Sequence, residues 1–394
     1  MWDMLPELNP FAPGSGLPPP SLTGRSAEID AFDLVVARSR VRRASRGMIL
    51  HGLRGVGKTV LLNEFRAQAE KANWFIVEIE GRPTQSGQAA VRHRLARSLL
   101  TAASRASRST KLSEGLRRAL GTVKSFSVSV GVVAVEIGVE SAHGRADSGQ
   151  IEIDFEELVE DLAPALLESS SAFAIFIDEM QELDDELLVA LLAAQHRAGQ
   201  KGWPFYIFGA GLPDLPSRLS SARSYAERLF DYRRIGPLEP TAAREALVSP
   251  IEKHGATFDP DALSSLLECA EGYPYFLQTY GRAVWDAARD RHITPEDAEA
   301  AITVGDDELD MGFYPSRWDK ITDSEREYMI TMAELGGETV GTGDIANALG
   351  RSATSKSKVR QSLIDKGLVY PPERGRLSFT VPRMASYIRR QYSN

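Results

Sequence analysis

The stretch "ILHGLRGVGKTVLL" (residues 49–62) places a glycine-rich loop between a short apolar strand and a helical segment. Gly52, Gly57, Lys58 and Thr59 fit the spacing G-x-x-x-x-G-K-[ST]. Glycines let backbone N–H groups close around phosphate oxygens, where a Cβ would collide. A chance glycine turn is the alternative, but the strand before the loop and the helix after it are the context that a phosphate-binding loop requires. The stretch therefore predicts a nucleotide-binding loop.

The residue types of this loop predict separate roles. The helix that follows points its N-terminal dipole at the bound anion. We expect Lys58 to reach the β- and γ-phosphates and the Thr59 hydroxyl to bind Mg²⁺. The predicted cofactors are therefore ATP and Mg²⁺. The predicted nucleotide contacts in this loop are Gly52, Gly55, Gly57, Lys58, Thr59 and Val60.

A second chemical signal is the acidic pair at the end of "AFAIFIDE" (172–179). Carboxylates at the carboxyl end of a parallel strand face the ligand crevice of an α/β sheet. Asp178 is the predicted Mg²⁺ residue, and Glu179 is predicted to orient and deprotonate the attacking water. A helix cap at the strand end is the alternative for this pair. Together with the glycine loop, the pair favours nucleotide hydrolysis over mere nucleotide binding.

Composition limits the class of protein. With 394 residues, 43% of them hydrophobic and 25% charged, the chain predicts a folded protein of two or three domains. Its single cysteine, Cys269, fits a reducing cytoplasm. The N-terminus has no signal-peptide pattern, and no apolar run approaches the ~20 residues of a membrane helix. The formal net charge is −8, but from residue 351 onward 10 Lys and Arg accompany only 2 Asp and Glu. This asymmetry indicates an anionic partner for the C-terminal end.

Apolar strands alternate with helical segments up to about residue 238, which predicts a parallel α/β sheet. The predicted strands are "MILHG" (48–52), "WFIVEIE" (74–80), "AFAIFIDE" (172–179) and "PFYIFGAG" (204–211). The predicted domains are a flexible N-terminal arm (1–20), a P-loop core (21–240) with an insert (84–150), a helical lid (241–310) and a C-terminal domain (311–394).

Several further stretches resemble AAA+-type P-loop ATPases, near the border between origin-recognition initiators and STAND-type signalling ATPases. "IFIDEMQEL" resembles their Walker B strand, and the glycine loop is their Walker A motif. "LTGRSAEIDAF" (22–32) resembles the box that lies against the adenine, which implies a role for Arg25. "EGYPYFLQTYG" (271–281) resembles the lid motif whose proline, here Pro274, packs near the base. The resemblance implies ATPase activity.

Three departures from the initiator pattern bear on the mechanism. "YIFGAG" offers no Asn, Thr or Ser as a sensor at the end of the fourth strand. The lid motif Gly272-Tyr273-Pro274 has no arginine beside it, as in STAND proteins, and Arg282 is a weak substitute. Arg223 and Arg228 both lie where a trans-acting arginine finger is expected. Arg228 is the predicted finger, which implies a homo-oligomer; a salt bridge with Glu227 or Asp231 is the alternative.

The insert has two parts. Nine Lys, Arg or His residues from Arg92 to Arg118, against the single Glu114, indicate either DNA-binding helices or a solvated face. The alternating segment 125–140 predicts a hairpin, which either covers the core or pairs with a neighbouring subunit.

The C-terminal end has the pattern of a winged helix. Three helical segments precede two short strands, and Val359, Leu363 and Ile364 of the third helix are predicted to face inward. Basic residues on the third helix and the wing predict contact with double-stranded DNA, whereas a protein-docking module is the alternative. The predicted DNA contacts are Arg351, Lys356, Lys358, Arg360, Arg374 and Arg376.

Two functions remain open at this point. In the first, the protein is an ATPase whose nucleotide state controls a DNA-binding winged helix. In the second, it is a STAND-like signalling switch that binds protein partners, in stress or phage defence, with little turnover.

Overall fold

The computed structural model describes residues 4–109, 114–132, 140–319, 321–336, 339–350 and 356–392. It divides into two compact units. The sheet unit comprises Arg25–His51 and Lys58–Arg234, and the C-terminal unit comprises Met1–Gly24, Gly52–Gly57 and Ile235–Asn394. The predicted lid and C-terminal domain therefore belong to one compact body, together with the glycine loop.

The sheet unit is built on five parallel strands in the order β2-β3-β4-β1-β5. The interior strand β3 (Phe173–Asp178) is buried along its length up to Ile177, because helices cover both faces of a parallel sheet. The predicted parallel α/β sheet is confirmed. The strands are β1 (Gly47–His51), β2 (Phe75–Glu80), β3 (Phe173–Asp178), β4 (Phe205–Gly211) and β5 (Phe230–Arg234).

Eight helices in the described part of this unit surround the sheet. Aromatic rings fill one side of its core, where Phe32 stacks on Phe65 with centroids 4.6 Å apart and Phe176 stacks on Phe208 at 5.2 Å. Such offset pairs stabilise a core beyond the area they bury. The helices are α1 (Ser26–Arg40), α2 (Lys58–Lys71), α3 (Gln85–Ser109), α4 (Glu114–Ser129), α5 (Ile151–Glu168), α6 (Asp185–Lys201), α7 (Leu215–Ala222) and α8 (Ala226–Leu229).

The predicted hairpin at 125–140 is wrong where the structure describes it. Residues 125–129 are the last turns of α4. Val123 and Phe126 are buried at helical spacing, and the Ser127 hydroxyl donates to the Val123 carbonyl at 2.8 Å, as serine does within a helix. The serine–apolar alternation reflects a helix in which the Ser127 and Ser129 hydroxyls donate to carbonyls of the same helix, whereas the Ser125 hydroxyl donates to the Ala142 carbonyl. Residues 133–139 lie outside the described residues.

The C-terminal unit has one continuous hydrophobic core that runs from Leu247 through Tyr280 and Trp285 to Tyr328 and Ile388. Its first part consists of helices with a two-stranded parallel pair. These elements are α9 (Pro240–Glu252), β6 (Thr257–Phe258), α10 (Pro260–Ala270), α11 (Pro274–Ala287), β7 (His292–Ile293) and α12 (Pro295–Glu308).

The second part of this unit runs helix, helix, strand, helix, helix, strand, strand, helix, and its three strands form an antiparallel sheet in the order β8-β10-β9. On α16, Leu363 is buried and Val359 and Ile364 pack against the core, as their spacing predicts. The elements are α13 (Pro315–Trp318), α14 (Asp323–Leu335), β8 (Thr339–Gly341), α15 (Thr342–Ala348), α16 (Ser357–Asp365), β9 (Val369–Tyr370), β10 (Arg376–Phe379) and α17 (Met384–Tyr392).

The prediction of a flexible N-terminal arm is wrong for the described residues of this segment, because they form hydrogen bonds with α11. Met4 and Phe11 are buried in the core of the C-terminal unit. The Trp285 indole donates to the Leu5 carbonyl at 3.0 Å, and the Asn9 amide donates to the Arg282 carbonyl at 3.1 Å. Two apolar anchors and these hydrogen bonds offset the entropy of ordering a Pro/Gly-rich segment.

None of the helices in the part of the chain that the structure describes has the length and apolar character needed to cross a bilayer.

Candidate nucleotide-binding and catalytic site

The sheet unit brings two predicted metal residues together. Thr59 lies in the first turn of α2, and Asp178 ends β3. The Thr59 hydroxyl donates to Asp178 Oδ2 at 2.7 Å. A hydroxyl and a carboxylate at this distance supply the hard oxygen ligands that Mg²⁺ prefers. The sequence separation of these residues shows that the strand order, not local spacing, forms the pair.

Burial raises the pKa of the Asp178 carboxyl, although the hydrogen bonds from Thr59 and from the Glu179 N–H and the charge of Lys58 act in the opposite direction. The same charge affects His51 at the end of β1, because burial first, and then Arg234 and Lys58, lower the pKa of its imidazole. A buried carboxylate beside a lysine is an environment that gains from a bound cation. Asp178 therefore fits the predicted metal role.

Glu179 follows directly and has a strained backbone, with φ of +46°. This conformation turns the chain sharply after the strand. The Glu179 carboxylate accepts a hydrogen bond from the side-chain amide of Gln181. The Gln181 carbonyl oxygen in turn accepts from the Leu212 N–H, just beyond β4, at 3.1 Å. Gln181 thus holds the predicted base in a defined position.

The glycine loop belongs to the C-terminal unit, and its glycines are required by conformation and by space. Gly55 and Gly57 have φ of +82° and +91°, values that side-chain-bearing residues rarely adopt. A Cβ on Gly52 would lie 2.0 Å from the Ile235 carbonyl oxygen. Pro274, at the start of α11, lies beside Gly57, 4.0 Å from the position of a Cβ there. Pro274 thus lies beside the glycine loop, as the resemblance implies.

The loop is also bonded to the rest of this unit. The Tyr275 N–H donates to the Gly55 carbonyl at 3.3 Å. The Arg54 N–H donates to the carbonyl of Thr380, just after β10, at 3.2 Å. The candidate phosphate loop therefore contacts both the first turn of α11 and the C-terminal segment, and no motif in the sequence predicts the second contact.

Two other predicted site residues have contrasting surroundings. Arg25, at the start of α1, is buried, and burial lowers its pKa despite the neighbouring Glu28. Val60 lies in the first turn of α2, half-buried. Buried arginine is rare without a reason in packing or binding.

The two candidate arginine fingers have different surroundings in the structure. Arg223 pairs with Glu152 at 2.7 Å. Arg228 is exposed and makes no ion pair with any residue that the structure describes, so the alternative of a salt bridge with Glu227 or Asp231 finds no support there. Arg282, the substitute lid arginine, is paired with Glu308.

The predicted DNA-contact residues are only partly available. Lys356 pairs with Glu327 at 2.9 Å, and Arg376 pairs with Glu373 at 3.4 Å. Lys358 and Arg374 are exposed, and Arg360 is half-buried. Arg351 lies outside the described residues.

Sequence reasoning missed Gln181, Thr380 and Arg383. Gln181 sits within "IFIDEMQEL", where its polarity next to buried neighbours was a usable signal. The Arg383 guanidinium donates to the Cys269 carbonyl at 3.2 Å and to the Tyr280 hydroxyl at 2.6 Å, and it pairs with Asp306 at 3.3 Å. No local sequence pattern predicts contacts between residues so far apart in the chain.

Comparisons with known proteins agree with this geometry. Residues 21–207 match the family described as the AAA ATPase domain, and residues 311–388 match a domain of unknown function, DUF8462. A comparison with curated proteins found no match.

One solved structure with a TM-score above 0.5 supports the fold. A Walker-type ATPase of Pyrococcus abyssi is similar with a TM-score of 0.60 and 14% identity, over 93% of this chain and 96% of that one. The RuvB Holliday junction branch migration motor of Thermotoga maritima has a TM-score of 0.46 and 17% identity, over 95% of this chain and 99% of that one. Orc1 of Aeropyrum pernix in complex with DNA has a TM-score of 0.46 and 18% identity, over 99% of this chain and 96% of that one. The family match over residues 21–207, the parallel sheet and the Thr59–Asp178 pair together identify this part of the chain as an AAA ATPase domain.

Proposed function

We propose that this ATPase binds ATP with Mg²⁺ and that its nucleotide state controls DNA binding by the C-terminal domain, acting as a winged helix. The single observation that carries the proposal is the hydrogen bond between the Arg54 N–H of the nucleotide loop and the Thr380 carbonyl. A phosphate that recruits the N–H groups of this loop competes with that bond. Nucleotide binding would therefore change a hydrogen bond of the C-terminal segment that contains Thr380.

The residues of the site fit their proposed roles. Thr59 and Asp178 would hold Mg²⁺, which would supply charge neutralisation at the phosphates. Lys58 would face the phosphates, and Glu179 would take a proton from the attacking water, held in position by Gln181. A contact with the adenine is proposed for Arg25, and a position near the base is proposed separately for Pro274.

Thr380 is well placed to pass on a change at the loop. Its hydroxyl donates to the Gly367 carbonyl at 2.6 Å, between α16 and β9. Three residues later, Arg383 fastens the same segment to α10, α11 and α12 through Cys269, Tyr280 and Asp306. The segment thus touches the nucleotide loop, the helical lid and the root of the proposed recognition helix α16. This is the physical basis of the proposed coupling.

The proposed DNA surface consists of Lys358, Arg360 and Arg374. Lys356 and Arg376 are committed to glutamates, so we expect about three phosphate contacts and a log K versus log salt slope near −3. The helix–strand–helix–helix–hairpin order and the inward Leu363 support a winged helix here.

The test uses the full chain, because the lid and the C-terminal domain share one core. Fluorescence anisotropy with a labelled duplex would compare the ATP-bound Glu179→Gln variant with the ADP-bound protein across a salt series. We expect different affinities in the two states and a flatter slope in Lys358→Ala/Arg360→Ala/Arg374→Ala. Binding that is identical with either nucleotide contradicts the coupling, and a slope unchanged in the triple variant contradicts the DNA surface.

A STAND-like switch that binds protein partners is the second candidate. It is favoured by the same contact between loop and C-terminal segment, together with the lack of a polar sensor in "YIFGAG" and the engagement of Arg282 by Glu308. It predicts slow turnover and no affinity of the purified chain for duplex DNA, so the anisotropy experiment separates the two candidates.

Arg228 is proposed to act in a neighbouring subunit of a homo-oligomer. Its exposure and its lack of an ion pair in the described part of the chain support this role. We expect Arg228→Ala to lower turnover by ~10³-fold without loss of nucleotide binding. Mixing it with Lys58→Ala should restore part of the activity, whereas mixed samples that assemble and stay inactive contradict a role in trans.

A further inference from the structure

A second group of cations lies in the sheet unit, at the end of α1 and in the loop before β1. The group consists of five arginines, all of them exposed. The sequence has no carboxylate between residues 34 and 63. In a chain with a net charge of −8, this is a local concentration of positive charge. The five residues, which we call the α1 arginines, are Arg38, Arg40, Arg42, Arg43 and Arg46.

Two of the α1 arginines have a structural task. Arg38 donates to the Ala44 carbonyl at 2.8 Å and closes the loop on itself. Arg42 donates to the Leu167 carbonyl at the end of α5 at 3.0 Å. The guanidinium groups of the other three, Arg40, Arg43 and Arg46, form neither a hydrogen bond nor an ion pair with the residues that the structure describes. Like charges so close in sequence repel one another, and the described fold offers them no anion.

The α1 arginines adjoin a cleft of about 670 Å³, to whose lining Arg38 and Arg46 both contribute. Its lining includes the apolar side chains of Val35 and Met48 and that of Leu34, which is 57% exposed. A cleft of this volume accommodates a planar ring of the size of a nucleobase with room to spare.

Two aromatic rings also line the cleft. The rings of His196 and Tyr225 stack with centroids 4.3 Å apart. Among the residues that line the cleft, Asp231 carries the one carboxylate, and Arg233 neutralises it at 2.7 Å. The cleft therefore combines aromatic faces, apolar walls and net positive charge, which is the composition of sites for single-stranded nucleic acid.

We propose that this face of the ATPase core binds single-stranded nucleic acid, with phosphates against Arg40, Arg43 and Arg46 and a base in the adjoining cleft. A single strand is favoured over a duplex because only an unpaired base can enter the cleft. It is favoured over an acidic peptide because carboxylates alone leave the aromatic and apolar walls unused. The site is independent of the proposed C-terminal DNA surface.

The first experiment measures binding of a labelled 30-nucleotide single strand by the full chain in a salt series. Arg40→Gln/Arg43→Gln/Arg46→Gln should lower the affinity at least ~10-fold and reduce the slope of log K against log salt by about 2, at ~0.7 per contact. The matched control is Arg244→Gln/Lys253→Gln/Arg289→Gln, which removes the same charge from exposed positions of the C-terminal unit. ATP turnover reports that each variant is folded.

The second experiment tests the cleft. Leu34→Glu puts a carboxylate in its wall and should weaken single-strand binding while leaving duplex binding unchanged. Val304→Glu, at a similarly exposed position on α12, is the control and should change neither. Equal losses for single strand and duplex in Leu34→Glu would overturn the placement of a base in the cleft. The whole proposal fails if the arginine variant binds like its control, or if that variant alters only the mass of the protein in light scattering, since the face is then a contact between copies.

Discussion

Asp178 and Glu179 are adjacent carboxylates whose surroundings give them different chemistry. Asp178 faces Thr59 and the charge of Lys58, which suits a cation. Glu179 turns away on a left-handed backbone and is held by Gln181. Environment thus separates the roles of two identical functional groups.

The first prediction separates nucleotide binding from hydrolysis. Lys58→Ala removes the cation that faces the phosphates and should weaken ATP binding ~100-fold or more. Glu179→Gln should retain binding and lower turnover by ~10²–10⁴-fold, because an amide cannot accept the proton of water. Equilibrium binding of a labelled ATP analogue and a phosphate-release assay measure the two effects. Normal turnover in Glu179→Gln would remove this residue from the mechanism.

The second prediction concerns Gln181 as a positioning residue. Gln181→Leu keeps the size of the side chain but removes both hydrogen bonds, to Glu179 and from the Leu212 N–H. We expect kcat to fall ~10-fold with KM nearly unchanged, because ground-state binding does not use this residue. Gln195→Leu, which removes the buried bonds to the Ile207 N–H and the Phe205 carbonyl at the other end of β4, is the control for stability. If both variants lose equal activity, Gln181 serves only the fold.

At the scale of elements, an ion pair with a buried carboxylate, Glu325, joins α14 to the end of α16. Glu325 caps the first turn of α14 through Thr322 and accepts from Lys366 at 2.7 Å and from Ser362 at 2.6 Å. Burial alone would raise the pKa of this carboxyl, but the bonds from Lys366, Ser362 and Thr322 outweigh it and lower the pKa to about 2. Because the folded pKa lies below the ordinary value of 4.5, the stabilisation is complete above about pH 4.5 and is lost as the pH falls toward 2.

The third prediction follows from this sign. Glu325→Gln should lower the free energy of unfolding at pH 7 by about 1–3 kcal/mol, since Lys366 loses its buried partner. The loss of stability between pH 4.5 and 2 should be smaller in the variant than in the parent protein. Chemical denaturation across this pH range measures both. Glu327→Gln, which breaks the exposed pair with Lys356, should cost less than ~1 kcal/mol; equal effects of the two variants would contradict the argument from burial.

At the scale of the whole molecule, the C-terminal unit is a single body in which the predicted lid, C-terminal domain and N-terminal segment share one core. The nucleotide loop belongs to this unit through Ile235, Tyr275 and Thr380. A loop bonded in this way can transmit a change of ligand through packed contacts, because such contacts have few intermediate states.

The fourth prediction tests this transmission at Arg383, which ties the segment after β10 to Tyr280 and Asp306. Arg383→Gln should leave nucleotide affinity within about threefold but abolish the difference in DNA affinity between ATP and ADP states. Its free energy of unfolding should fall by ~2–4 kcal/mol, because Asp306 and the Tyr280 hydroxyl lose their partner. Arg390→Gln, which breaks the more exposed pair with Asp310, is the matched control. A nucleotide response retained in Arg383→Gln would show that the coupling runs elsewhere.

The sequence alone determined the local chemistry. The spacing from Gly52 to Thr59 and the apolar run before Asp178 are consequences of backbone geometry and strand burial, which neighbouring residues report. The same local reasoning failed at 125–129, because a few alternating residues fit a strand while the buried spacing of Val123 and Phe126 belongs to a helix.

Only the tertiary structure decided which distant groups meet. The Thr59–Asp178 bond depends on strand order, and the Gln181–Leu212 bond joins the ends of two strands. The contact of Arg54 with Thr380 and the burial of Phe11 join segments hundreds of residues apart. Such contacts arise because packing a common core brings together polar groups that must then satisfy one another, and no periodicity in the chain records that requirement.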